Sequence, residues 1–314
     1  MWNGGCVMSE RKLIVLGTAS QVPGRTRNHN GYFLRFDDEG FLFDPGEGTQ
    51  RQMLLAGVSA HEITRILITH FHGDHCLGLA GIIQRISLDR VPHEVEVYFP
   101  ASDRVYFERL RDSCRYFPAA RLRDVPVKDG GCVAEDARIA VFALALDHTV
   151  ETYGYRIVEK DSFTLDPARL AASGVAGGDA AVLKATGSIV RDGKTVRVED
   201  IGRLRPGQRF AFVMDTRVCD AARDLAREAD LCVMEATYLS DMEGTARDYG
   251  HLTARQAATI AREAGVRKLV LSHFSQRYGD SREFVREASP VHPDVVAAED
   301  GMVVNLPRRR RVLG

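Results

Sequence analysis

The sequence predicts an α/β fold, and three observations carry that prediction. Short runs rich in β-branched and aromatic residues recur along the 314 residues, each about the length of one strand. Helical spacings of apolar residues fall between several of them. No repeat or low-complexity tract interrupts the alternation, and strands interleaved with helices pack as layers about a sheet.

In chain order the strand candidates are KLIVLG (12–17), YFLRF (32–36), FLFD (41–44), ITRILIT (63–69) and VEVYF (95–99). RIAVFALAL (138–146), YGYRIV (153–158), RFAFVMD (209–215), LCVMEAT (231–237), KLVLSH (268–273) and GMVVNL (301–306) follow. Their branched and flat side chains suit a pleated surface. Leu77, Ala80 and Ile83 predict one buried helix face. Ala254, Ala257, Ala258 and Ala261 predict another, at i, i+3, i+4, i+7 spacing. Residues 161–209 break the rhythm, being Gly- and Ala-rich with few large apolar side chains. That stretch is expected to be a linker, a projecting arm or a surface elaboration, inserted into one domain spanning residues 1–314.

Composition narrows the class of function. At 45% hydrophobic and 27% charged residues the chain can build a sizeable core. A net charge of −1 gives no bulk attraction to nucleic acid, so any polyanion must meet a local basic surface. The run PRRRR (307–311) is expected to be a solvated tail. The six cysteines show no C-x-x-C spacing, which fits a reducing compartment and disfavours a disulfide framework or cysteine zinc site. The opening MWNGGCVMSERK lacks a basic stretch followed by an apolar core, so no signal peptide is expected, and Met8 is a second candidate start. No apolar run is long enough for a membrane span, and a soluble, cytoplasmic protein is expected.

The chemistry gathers where ITRILIT ends. His70, His72, Asp74 and His75 stand in H-x-H-x-D-H, in a loop after a strand, where α/β folds build their sites. Imidazoles and a carboxylate in a tight loop suit a borderline metal such as zinc, and Gly73 allows the turn. Further candidates close other strand runs: His148 after VFALALD, Asp215 ending FAFVMD, and His273 after KLVLS. Seven ligands are the number expected when two metals each take three side chains and share one carboxylate. Two such ions clamp a phosphoryl group and activate water. Thr253 and Gln256 form a T-x-x-Q capping signature, which places His251 at a helix N-terminus, a favourable position for phosphate.

Through THFHGDH the chain resembles the metallo-β-lactamase superfamily, and within it the ribonuclease Z family of tRNA 3′-processing endonucleases. LGTASQVP, RN, FDPGEGTQRQ, HGDHCLGLAG, YGYRI, MDT, EATY, HLTARQAA, SHFSQRY and AEDGMVVNLP carry the likeness nearly end to end. The resemblance implies a four-layer αββα sandwich with metals at one edge of two sheets. It assigns His70, His72 and His148 to a first metal, Asp74, His75 and His273 to a second, and Asp215 to both. Asp74 also orients the attacking water. Asp44 is expected to orient ligands from behind, and Arg277 and Tyr278 to meet the substrate backbone. His251 becomes a catalytic or phosphate-contacting residue.

The same resemblance implies two Zn2+ per chain, with Mn2+ or another divalent metal as substitutes, and precursor tRNA as substrate. It implies a homodimer in which one subunit's arm, here 161–209, holds tRNA for the other. This arm is reduced: its tip lacks Gly-Pro and carries only Lys184 between Arg169 and Arg191, so weak tRNA capture is expected. The expected reaction is zinc-dependent cleavage of pre-tRNA 3′ trailers that leaves a 3′-hydroxyl. A metallohydrolase of small phosphodiesters or sulfate esters is the first rival, and a non-catalytic RNA-binding protein the second.

Overall fold

In the computed structural model, residues 10–191 and 193–310 are described. Cys6, Met8 and the other residues of the opening stretch before 10 lie outside the described residues, as does Arg311 of the basic run.

Two seven-stranded sheets stand face to face. The first runs in the order Val303–Asn305, Arg11–Gly17, Gly31–Phe36, Glu39–Phe43, Arg65–Leu67, Glu94–Pro100, Arg121–Val127. The second runs Val295–Ala297, Lys268–Ser272, Leu231–Glu235, Arg209–Val213, Tyr153–Glu159, Ile139–Ala145, Gly131–Glu135. Period-two alternation sorts the side chains of each strand. Leu13 and Val15 face the opposite sheet, whereas Ile14 and Leu16 face helices; Phe210 and Phe212 are likewise separated from Ala211 and Val213.

Three buried clusters therefore mark three interfaces, which makes four layers. Tyr32, Phe43, Tyr155, Phe212 and Val270 fill the space between the sheets. Phe33, Leu42 and Ile66 meet Met53, Ile82 and Ile86 from the helices Thr49–Leu55 and Leu79–Leu88. Ala211, Cys232 and Leu271 meet Leu225, Ala257 and Ala261 from Asp220–Ala226 and Ala254–Glu263. This is the expected αββα sandwich.

Each predicted strand run contains a strand, and the alanine stripe of Ala254–Glu263 is fully buried. The first helix stripe needs correction. The helix Leu79–Leu88 buries Leu79, Ile82, Ile83 and Ile86, while Ala80 is half-buried and Leu77 is exposed ahead of it. The turn Gly73–Cys76 is a separate short helix, so the helical phase restarts at Leu79 and a stripe drawn from Leu77 is out of register. The edge strand Arg121–Val127 was not legible, because its arginines and aspartate hide the alternation.

Residues 161–209 are more structured than their composition suggests. Among the described residues, Ser162–Leu165 pairs only with Gly202–Arg205, apart from both large sheets. Between them lie the helices Pro167–Ala172 and Gly178–Thr186 and the hairpin Ser188–Arg191 with Lys194–Arg197. Asp166 caps the first helix and Pro167 begins it. Val175, Leu183, Val198 and Ile201 form a small core of their own. The basic tail is also not simply solvated: Arg309 donates to Glu159 at 2.8 Å, at the root of this segment.

Candidate metal centre

Chain ends of several strands converge at one rim of the sandwich. Asp44 follows Glu39–Phe43, His70 lies just beyond Arg65–Leu67, and His148 comes after Ile139–Ala145. Asp215 and His273 follow Arg209–Val213 and Lys268–Ser272. Among the described residues, six that are not glycine have positive φ, and Asp44 (41°), Asp215 (49°) and His273 (64°) are three of them. Left-handed backbone costs free energy for a side chain with a Cβ, so the sheets hold strain at this rim.

The seven predicted ligands meet there. His70, His72, His148 and Asp215 form one group, and Asp74, His75 and His273 another; within each group the candidate ligand atoms lie within 4.8 Å of one another. Asp215 sits between the groups. Its Oδ2 is 3.7 Å from Nε2 of both His70 and His148 and 3.4 Å from Nε2 of His75, and its Oδ1 is 3.2 Å from Nε2 of His273. Asp74 Oδ2 is 3.3 Å from His75 Nε2 and 3.4 Å from His273 Nε2.

The far sides of the rings fix which nitrogen faces inward. His75 Nδ1 donates to Asp44 at 2.8 Å and His148 Nδ1 donates to the Gly250 carbonyl at 2.8 Å. Thr69 Oγ1 donates to Asp44 and so accepts from His70 Nδ1 at 3.0 Å. Thr237 Oγ1 donates to Glu235 and accepts from His273 Nδ1 at 2.7 Å. With Nδ1 engaged, each of these imidazoles turns Nε2 toward Asp215, the nitrogen left for a metal. His72 instead presents Nδ1, 2.9 Å from His70 Nε2.

The donor set fits divalent metal. Bare ring nitrogens crowded this closely repel unless a cation lies among them. Asp215 Oδ1 is buried without a hydrogen-bond donor among the described residues, a costly state that a cation relieves. Burial pushes His70, His72 and His148 below the usual histidine range, toward the neutral ligand form. Burial opposes the charge of Asp215, yet His273 and His75 hold its carboxyl well below the usual range. Burial also opposes charge on His75, but Asp215, Asp74 and Asp44 outweigh it. Metal binding at this ring would release the Nε2 proton.

His251 stands beside this group, at the edge of a cleft of about 350 Å³ that His72, Asp74, His148, Asp215, Tyr249 and Arg277 also line. Thr253 and Gln256 form the predicted capping box of Ala254–Glu263. His251 Nδ1 donates to Glu235 Oε1 at 3.0 Å; burial alone would lower this histidine, but Glu235 and Asp215 hold it up at about 9. Glu235 was missed by sequence reading. Its signal was a lone carboxylate closing the apolar strand LCVME. Arg277 lies over the Tyr238 ring at 5.3 Å and lines the cleft. Tyr278 points elsewhere: its ring packs on Phe284 and its hydroxyl accepts from Leu239 N at 3.1 Å.

The chain is similar to known proteins of one superfamily. Residues 24–149 match the model of the metallo-beta-lactamase superfamily, and residues 191–274 that of a beta-lactamase superfamily domain. Ribonuclease Z of Streptomyces coelicolor is 54% identical over 96% of this chain and 100% of its own length. Ribonuclease Z of Nocardia farcinica is 53% identical over 96% and 100%. The crystal structure of the short form of human tRNase Z superposes with a TM-score of 0.70 at 27% identity, covering 94% of this chain and 99% of that one. The chain belongs to the ribonuclease Z family of metal-dependent hydrolases with the metallo-β-lactamase fold.

Proposed function

We propose that the chain is the endoribonuclease that removes 3′ trailers from precursor tRNA, leaving a 3′-hydroxyl on the tRNA. The observation that carries this reading is the complete ligand set about Asp215, in a chain so similar to ribonuclease Z over nearly its whole length. His70, His72 and His148 would hold one divalent ion, and Asp74, His75 and His273 a second, with Asp215 serving both. The donor chemistry of imidazole nitrogens and carboxylates favours Zn2+. Bound ions of this kind supply Lewis acidity toward the phosphoryl group and lower the pKa of water.

The chain's own residues do the rest. Asp74 accepts a hydrogen bond from the attacking water and orients it. Glu235 holds His251 by Nδ1, so Nε2 is left to face substrate with a proton to give. That proton goes to the departing ribose 3′-oxygen. Arg277 offers its charge to a phosphate in the same cleft. Lys184, Lys194 and Arg197 of the 161–209 segment supply the remote basic contacts. Family likeness supports a homodimer that shares tRNA between subunits, and sedimentation of the purified chain tests it. The reading places the enzyme in the cytoplasm; among the described residues no helix is long and apolar enough to cross a membrane.

Elemental analysis of protein purified without chelator tests the site directly. The wild type should carry two ions per chain, and Asp215→Asn should lose occupancy at both positions. A wild type saturating at one ion would overturn the shared-carboxylate assignment.

A further inference from the structure

Tyr249 closes the helix Glu243–Tyr249 and is 63% exposed, yet it lines the cleft with His148, Asp215 and His251. An aromatic ring left so open forgoes a large burial gain. Its backbone is not loose. Gly250 ends the helix at φ +81°, its N–H reaches the Arg247 carbonyl at 3.2 Å, and His251 N reaches the Ala246 carbonyl at 2.7 Å. Arg217 Nε donates to the Arg247 carbonyl at 2.6 Å. The Gly250 carbonyl in turn accepts from His148, and a Cβ at Gly250 would come within 2.7 Å of that ring nitrogen. The stretch that bears Tyr249 is therefore tied to a ligand histidine on one side and to His251 on the other.

We propose that Tyr249 is a positioning residue that stacks on the base of the nucleotide whose 3′-oxygen departs. This rests on the tRNA-cleaving reading above. Tyr249 lines the same cleft as His251, which serves the departing oxygen, and the two are joined through Gly250, so we assign to its ring the base of that same nucleotide. Arg277 over Tyr238 supplies a cation in the same cleft for the adjoining phosphate. Stacking tolerates any base, since every base has a π-face. That suits a site acting on RNAs whose last retained nucleotide differs.

The test pairs protein and substrate changes under single-turnover conditions. Three pre-tRNAs are used: intact, abasic at the nucleotide 5′ of the cut, and abasic at the nucleotide 3′ of it. Tyr249→Ala should lower kcat/KM on the intact RNA by about 5- to 50-fold, mostly through KM, as loss of one base stack does. Tyr249→Phe should restore it, because stacking uses the ring. Removing the 5′ base should cost the wild type a similar factor and cost Tyr249→Ala little more. Losses that multiply, or coupling to the 3′ base instead, would overturn the proposal. So would a wild type indifferent to the 5′ base, whatever the variants do. A wild type unable to cut intact pre-tRNA would overturn the tRNA-cleaving reading itself, an outcome distinct from these.

Discussion

His251 Nδ1 lies 3.0 Å from Oε1 of Glu235, and Glu235 is fully buried at the end of its strand. The same carboxylate accepts from Thr216 N at 2.8 Å and from Thr237 Oγ1 at 2.6 Å. Glu235 thus touches the backbone beside Asp215, the threonine behind His273 and the ring of His251. One buried charge aligns three parts of the site.

That relationship predicts how His251 divides its effects. A departing ribose oxygen needs a proton, whereas a nitrophenolate does not. His251→Ala should keep its metals, slow single-turnover cleavage of pre-tRNA by about 10²–10⁴-fold, and slow a bis-nitrophenyl phosphate far less. Glu235→Gln should show the same selectivity with a smaller loss. Metal loss, or equal losses on both substrates, would remove His251 from the leaving group.

Asp44 makes a separate prediction. It is fully buried, accepts from Thr69 N and Thr69 Oγ1 at 2.8 Å each, and accepts a hydrogen bond from His75 Nδ1. Such partners of ligand histidines typically contribute about 10- to 100-fold in metal affinity. Competition titrations with a chelator should show that loss for Asp44→Asn, with the fold intact by circular dichroism. Unchanged affinity would make Asp44 a turn residue only.

The 161–209 segment should act on RNA capture and not on chemistry. Val175 and Leu183 belong to its small core, so deleting residues 174–188 would collapse it and not simply trim a tip. Lys184→Ala combined with Lys194→Ala is the cleaner change. It should raise the pre-tRNA concentration needed a few-fold and make the salt dependence shallower, by ~1 in slope for each phosphate no longer neutralised. A small phosphodiester should be cleaved as before. Equal effects on both would mean that the segment only supports the fold.

Acid stability should depend on the root of that segment. Burial works against the charge of Glu159, but hydrogen bonds from Arg11 and Arg309 hold its carboxyl down at about 2, against an ordinary value of 4.5. Its contribution is therefore complete above about 4.5 and fades as pH falls toward 2. Glu159→Gln should lower the urea midpoint near neutral pH, and the gap to wild type should narrow on acidification through that window. A gap that stays constant would mean that Glu159 stabilises through packing alone.

Much of this was legible in the sequence because the physics is local. Buried strands advertise themselves as apolar runs, and the candidate ligands follow those runs, since converging strand ends are what bring His70, His148, Asp215 and His273 together. The rest depends on three-dimensional contact. Glu235 is one carboxylate among many until His251 is seen against it. Leu77 looks like part of a helical face until the ligand turn resets the phase. The core of residues 161–209 is too small to stand out from its alanines and glycines. Tyr249 carries no motif; only its position in the cleft singles it out.

The most direct measurement is cleavage of a pre-tRNA with a defined trailer by the purified chain, with both product ends mapped, before and after chelation and metal return. The account predicts one cut after the last retained nucleotide, a tRNA 3′-hydroxyl and a trailer 5′-phosphate, with activity lost to chelator and restored by Zn2+ or Mn2+. A metal-loaded protein that hydrolyses small phosphodiesters or sulfate esters but leaves the pre-tRNA whole would contradict it.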